Sequence, residues 1–190
     1  MDSWNRWGRL FLAILVFLSL LLHAWSKTRE TIGEMLWACY VASAILAVGL
    51  LLNKPRWVAI GFLFEATLGF PAWLMDALAT QSTTFTSCFG HLAPMTAGFL
   101  YLRRTGLPKG VLLPAWLLYP LMIAVSRWAT PPKLNVNLAH APWAPGKWAS
   151  NPLWMHWTFN TVAALVLLFL AELLLRRIWR ATAEPRLRDA

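Results

Sequence analysis

The sequence predicts an all-α fold: a polytopic membrane bundle of six transmembrane helices, both termini cytoplasmic, forming one domain over residues 1–190. Three observations predict it. The chain is 58% hydrophobic and only 13% charged, whereas a soluble domain carries roughly 25% charged residues. Its apolar residues fall in six long runs, on the scale of the ~20 residues a helix needs to cross ~30 Å of hydrocarbon. Its basic residues gather on alternate connections between those runs. The same composition excludes a disordered chain, a collagen and a small disulfide scaffold. An excess of 17 Lys and Arg over 8 Asp and Glu would point to nucleic acid in a soluble protein. In a membrane protein it sets orientation instead, so no nucleic-acid partner is expected.

The first run, 10–25, carries no charge. Arg6 and Arg9 before it and Ala24-Trp25-Ser26 at its end loosely imitate a signal peptide, but a Trp beside the cut is unusual and a retained helix is expected. The second run, 31–52, ends at the Asn53-Lys54-Pro55-Arg56 turn. The third, 57–79, holds Glu65, Pro71 and Asp76. The fourth, 85–102, is closed by Arg103-Arg104 and Gly106-Leu107-Pro108. The fifth, 111–128, contains Pro114 and Pro120, which bend a helix by removing a backbone donor. The sixth, 152–175, is stopped by Arg176-Arg177. No internal repeat and no Gly/Ser linker divides the chain.

With the N-terminus cytoplasmic, that side receives Arg6, Arg9, Lys54, Arg56, Arg103, Arg104, Lys109, Arg176, Arg177, Arg180, Arg186 and Arg188. The other side receives only Lys27, Arg29, Arg127, Lys133 and Lys147. Loops rich in Lys and Arg stay inside, which orients the bundle in a cell membrane of the bacterial inner-membrane kind. Tryptophans agree, with Trp4, Trp7, Trp57, Trp116 and Trp179 at the inner boundary and Trp25, Trp37, Trp73, Trp128, Trp154 and Trp157 at the outer one. The longest connection, 129–151, adds Trp143 and Trp148. A loop this long and this aromatic is expected to fold back over the outer face.

Orientation turns sequence position into depth. Cys39 falls about two turns into the second helix and His91 at a similar depth in the fourth. All four histidines and both cysteines fall in the outer half. A thiol becomes a nucleophile when an imidazole takes its proton, so Cys39 and His91 are the candidate catalytic pair. Asn135, Asn137, His156 and Asn160 are candidates to orient the imidazole or to donate to an oxyanion, Asn160 lying one turn deeper than His156 on the same face. The plainer alternatives are a buried structural Cys, a His bonded to a neighbouring helix, or a Cys39–Cys88 disulfide. Glu65, at mid-membrane, must face the interior and find a partner. Gly61 and Gly69 lie four residues to either side of it and allow another helix to approach closely. The histidines lack a ligand spacing such as His-x-x-x-His, so neither a metal nor another cofactor is expected. Membrane lipid is the expected substrate or ligand; a non-enzymatic lipid- or small-molecule-binding protein or a subunit of a membrane complex is the alternative, and a metal- or haem-binding redox protein is the lesser one.

The stretch Met35-Leu36-Trp37-Ala38-Cys39, the apolar run to Leu52, the Asn53-Lys54-Pro55-Arg56 turn and the aromatic third helix resemble the second and third spans of the YwaF-type family of integral membrane proteins. Cys88-Phe89-Gly90-His91, Phe99-Leu100-Tyr101-Leu102 and Asn135-Val136-Asn137 resemble later segments, so the likeness runs over residues 33–177. It implies cysteine-dependent acyl transfer on phospholipids, with Cys39 and His91 at the family's Cys and His positions. The chain departs from the family at Trp37, where the family has a His, in lacking the preceding Pro, and at Val136, where it has an aromatic.

Overall fold

The computed structural model describes residues 6–142 and 150–188, with 180–188 as backbone alone. Trp4, Trp143, Lys147 and Trp148 lie outside the described residues. Among those described, the chain is helical without strands. Helix α1 spans Arg6–Trp25. A 3-10 turn at Ile32–Leu36 precedes α2, Ala38–Leu51. Helix α3, Pro55–Phe64, passes through a π turn at Glu65–Gly69 into α4, Phe70–Thr80. Helices α5, Phe85–Thr105, and α6, Leu112–Ala129, follow. Two 3-10 turns, Pro132–Leu134 and Val136–Leu138, lead toward α7, Leu153–Arg188.

Four stretches are long and apolar enough to cross a membrane: Arg6–Trp25, Pro55–Thr80, Leu112–Ala129 and Leu153–Trp179. Two of the six expected spans fall short by those measures. Helix α2 is apolar but has 14 residues, about 21 Å at 1.5 Å per residue. Helix α5 is long enough, but along most of its length its buried face is built from the small residues Gly90, Ala93, Pro94, Ala97 and Gly98, with Tyr101 and Leu102 only at its end. Outward-facing Phe11, Ile14, Leu18 and Leu21 on α1, and Val162, Val166, Leu170 and Leu173 on α7, form bands that water would not tolerate but lipid would. Fold and surface mark a membrane protein.

Hydrogen bonds between elements gather the connections at two ends. At one end Lys133 pairs with Glu30 at 2.9 Å, the Thr86 hydroxyl donates to Ser26 Oγ at 3.2 Å, and Trp157 Nε1 donates to the Leu138 carbonyl at 3.2 Å. At the other, Arg9 donates to the Leu50 carbonyl at 3.2 Å, Arg56 to that of Gly110 at 3.0 Å, and Arg176 to those of Leu107 and Pro108. All six helical stretches therefore run alternately between the same two ends.

Three boundaries differ from the sequence reading. Helix α2 begins at Ala38, not near 31, because Trp37 is extended (φ −56°, ψ 133°) and breaks it from the 3-10 turn. Cys39 is thus in the first turn of α2 instead of two turns into a span. The third run is not a uniform helix. Pro71 has no N–H to donate four residues back, and the preceding turn widens so that the Phe70 N–H reaches the Glu65 carbonyl five residues away. Helix α7 continues past Arg176-Arg177, because Arg176 pairs with Glu172 at 2.5 Å and bonds to neighbouring carbonyls without breaking the helix. The described part of the connection after α6, up to residue 142, folds onto the bundle, with Val136, Asn137 and Ala139 buried.

The core is mainly aliphatic, with Val16, Leu46, Leu50, Val58, Leu63 and Leu102 among its fully buried members and Tyr40, Phe62, Tyr101 and Trp179 packed with them. Helices α2 and α3 pack so closely at Gly61 that a Cβ there would collide with the Ala42 carbonyl oxygen and Leu46 Cβ. The small residue lets the two backbones meet.

Candidate functional site

Three elements converge on one buried point. Helix α2 brings Cys39, half-buried. The π turn brings Glu65, fully buried, and α5 brings His91, 2% exposed. The ligand-type atoms of these side chains all lie within 4.8 Å of one another. His91 Nδ1 and Glu65 Oε1 are 2.5 Å apart, a short hydrogen bond between two helices in the bundle interior. With the Nδ1 proton directed at the carboxylate, Nε2 is the nitrogen left to accept a proton. No hydrogen bond joins the Cys39 thiol to either partner among the described residues, and Cys39 and Cys88 are both free thiols.

Glu65 Oε2 is buried with no hydrogen-bond partner. It lies on the Cys39 side of the pair, because a Cβ built on Gly69 would collide with Oε2 and stand 2.8 Å from Cys39 Cβ. Gly69 is therefore what lets thiol and carboxylate share this space. Aromatic rings wall the imidazole. Trp73 stacks on His91 with ring centroids 5.1 Å apart, and Tyr40 lies 5.4 Å away on a tilted ring. Beyond Tyr40, His23 continues the column at 4.6 Å, its Nδ1 3.3 Å from the Thr86 hydroxyl.

The structure brings together Cys39, Glu65 and His91, and finds other work for Asn137 and Asn135. Asn137 is 3% exposed. Its Oδ1 accepts from the Ala38 N–H at 2.8 Å, while its Nδ2 donates to Ser126 Oγ at 2.7 Å and to the Leu36 carbonyl at 2.8 Å. Asn137 thereby caps α2 from 99 residues away, since Trp37 has no side-chain acceptor to do so. Asn135 Oδ1 accepts from the N–H groups of His140 and Ala141 at 2.9 and 2.8 Å, closing its own loop. Both take left-handed backbone, at φ 43° and 55°, which Asn tolerates better than most residues. His156 is buried and Asn160 half-buried on α7.

Sequence reading missed Glu65 as the partner of His91, and it missed Tyr40 and Trp73 as the walls. A carboxylate in an apolar run was the available signal for the first. Its distance to His91 depends on how α3 and α5 pack, which no local spacing encodes. Fold and site together define a helical membrane bundle with a buried Cys–Glu–His cluster. The chain matches no protein-family model, no curated protein and no solved structure.

Proposed function

We propose that this protein is a membrane-embedded thiol enzyme that transfers or hydrolyses acyl groups on a lipid. The observation that supports the reading is the make-up of the cluster: a thiol, an imidazole and a buried carboxylate whose polar atoms lie within 4.8 Å of one another, with the imidazole Nδ1 bonded to the carboxylate. That is the arrangement in which a carboxylate fixes the tautomer of a His and the His activates a nucleophile. Cys39 Sγ attacks the ester carbonyl and its proton passes to His91. The tetrahedral intermediate collapses to an acyl-thioester, and the leaving alkoxide takes the proton back from His91. Water or an acceptor alcohol then attacks the thioester, giving its proton to His91, and the thiol is regenerated.

The proposal extends to placement. The six helical stretches each cross the membrane, both termini face the cytoplasm, and the site opens toward the outer leaflet of the cell membrane. The test is lipid turnover by purified protein and by a Cys39→Ala variant with an unchanged thermal midpoint. Loss of activity together with a hydroxylamine-sensitive acyl adduct on wild type is expected. A variant that turns over every lipid the parent does overturns the reading. A second, non-enzymatic reading has its own support, because the Glu65–His91 bond by itself ties two helices together and, among the described residues, no hydrogen bond activates the thiol. It expects Cys39 to react with iodoacetamide no faster than a free thiol, whereas the enzyme reading expects fast alkylation that His91→Ala slows.

A further inference from the structure

We infer that Cys39, Glu65 and His91 form a binding site for one borderline-soft divalent transition ion, with Zn2+ the ion whose preferences they match. The inference stands on ligand geometry and does not require the thiol to be a nucleophile.

Thiolate sulfur, imidazole nitrogen and carboxylate oxygen are the three donors that Zn2+ takes from proteins. Sites with three protein ligands leave its fourth position open. Here the three donors come from three separate elements and lie within 4.8 Å of one another. A tetrahedral ion with bonds of ~2.0–2.3 Å holds its ligand atoms on the order of 3–4 Å apart, so side-chain shifts of about an ångström complete the site. Glu65 Oε2 is the second observation. It is fully buried, lacks a hydrogen-bond partner and stands on the Cys39 side of the cluster. A buried carboxylate oxygen without a donor is costly to leave so, and a cation satisfies it.

Charge favours the same ion. One thiolate and one carboxylate neutralise a divalent cation while the imidazole stays neutral, and a low-dielectric interior accepts a neutral site far more readily than a charged one. Sulfur and nitrogen donors disfavour Mg2+ and Ca2+, which take oxygen. The exchange balances with one proton per ion. The S–H bond breaks as the sulfur–metal bond forms, and that proton leaves to solvent. His91 offers one ring nitrogen and keeps its N–H on the other. If Cys39 is also the nucleophile, an occupied site is an inactive one, because the ion holds the lone pairs that chemistry would use.

The test uses the full chain in detergent, stripped with a chelator and titrated with Co2+ and with Zn2+. One ion per chain is expected, with a sulfur-to-cobalt charge-transfer absorption that Cys39→Ser abolishes and Cys88→Ser retains. Glu65→Gln and His91→Gln should each weaken binding by at least about tenfold, since even residues one shell outside a metal cost that much. In wild type, without any substitution, Zn2+ should slow alkylation of Cys39 by at least about tenfold, because a coordinated thiolate has its lone pair engaged. Absence of saturable binding, a cobalt spectrum without the thiolate band, or affinity unchanged in Cys39→Ser overturns the inference. Metal binding with no lipid turnover in the metal-free protein sinks only the acyl-transfer reading. Turnover without metal binding sinks only this one.

Discussion

Gly69 sets how near Cys39 and Glu65 can come, and a single methyl group there tests the site without touching its chemistry. A Cβ at this position would collide with Glu65 Oε2 and stand 2.8 Å from Cys39 Cβ, closer than side chains tolerate. Alanine is the better helix former, so Gly69→Ala acts on the spacing of the cluster and not by melting the turn. Displacement of a reacting group by about an ångström costs on the order of 10²-fold in rate. A loss of that size is expected in lipid turnover, with the thermal midpoint kept within a few degrees. Wild-type turnover in Gly69→Ala would show that the spacing of thiol and carboxylate is irrelevant. At this scale the sequence was half legible. A Cys, a carboxylate and a His in apolar runs each stand out as costly or reactive in lipid. Which of them meet does not, because Cys39 and His91 are 52 positions apart in sequence (91 minus 39) and Glu65 reaches His91 only through helix packing. Asparagine positions near the loop suggested orienting groups, yet Asn137 spends its polar atoms on Ala38, Leu36 and Ser126.

Elements explain why Cys39 is where it is. Helix α2 cannot be capped by Trp37, and its first N–H is accepted by Asn137 from the connection after α6. The start of α2, and with it the position of the thiol, depends on a residue from the far end of the chain. Replacing Asn137 by Ala leaves the Ala38 N–H and the Ser126 hydroxyl without their partner in the interior, and puts a residue with a Cβ and no local hydrogen bonds at φ 55°. The expected cost is ~2–4 kcal/mol of stability, from a lost cap and stranded buried groups. It should be read as a lowered thermal midpoint in detergent. A stability within about 0.5 kcal/mol of wild type, the range of an ordinary surface change, would show that the cap is dispensable. The apolar runs located every helix, because length and hydropathy are local properties. Boundaries moved where a partner from elsewhere decided them: Asn137 at the start of α2, Leu107 and Pro108 holding Arg176 within α7. The π turn at Glu65–Gly69 was half written in Pro71, whose missing donor announces a bend. Whether that bend becomes a kink or a widened turn rests on packing, and here it aims Glu65 at His91.

Across the whole molecule, two kinds of asymmetry coincide. The end that collects Arg9, Arg56, Lys109 and Arg176 is the basic end, and the opposite end carries the acidic groups Glu30 and Glu34 paired with Lys133 and Lys27. In a bilayer, connections rich in Lys and Arg remain cytoplasmic, so in the proposed placement the first end is expected to face inward. Helices α2 and α5 decide the topology, since one is short and the other is modestly apolar. Each packs against two neighbours: α2 lies against α1 and α3, and α5 packs on α1 and α3. A helix surrounded by protein can cross with less lipid-facing hydrophobicity than an isolated one, because few of its residues meet lipid at all. Six crossings therefore require the connections to alternate. In a background lacking Cys39 and Cys88, single cysteines at Thr28, Ser82 and Lys133 should react with a membrane-impermeant maleimide on intact cells. Cysteines at Asn53 and Lys109 should react only after the membrane is opened. If α2 does not cross, the label at Asn53 joins that at Thr28 on the outside. If α5 does not cross, the label at Lys109 joins that at Ser82. The complete inversion of the pattern would put the basic end outside, and would mean that charge does not orient this bundle.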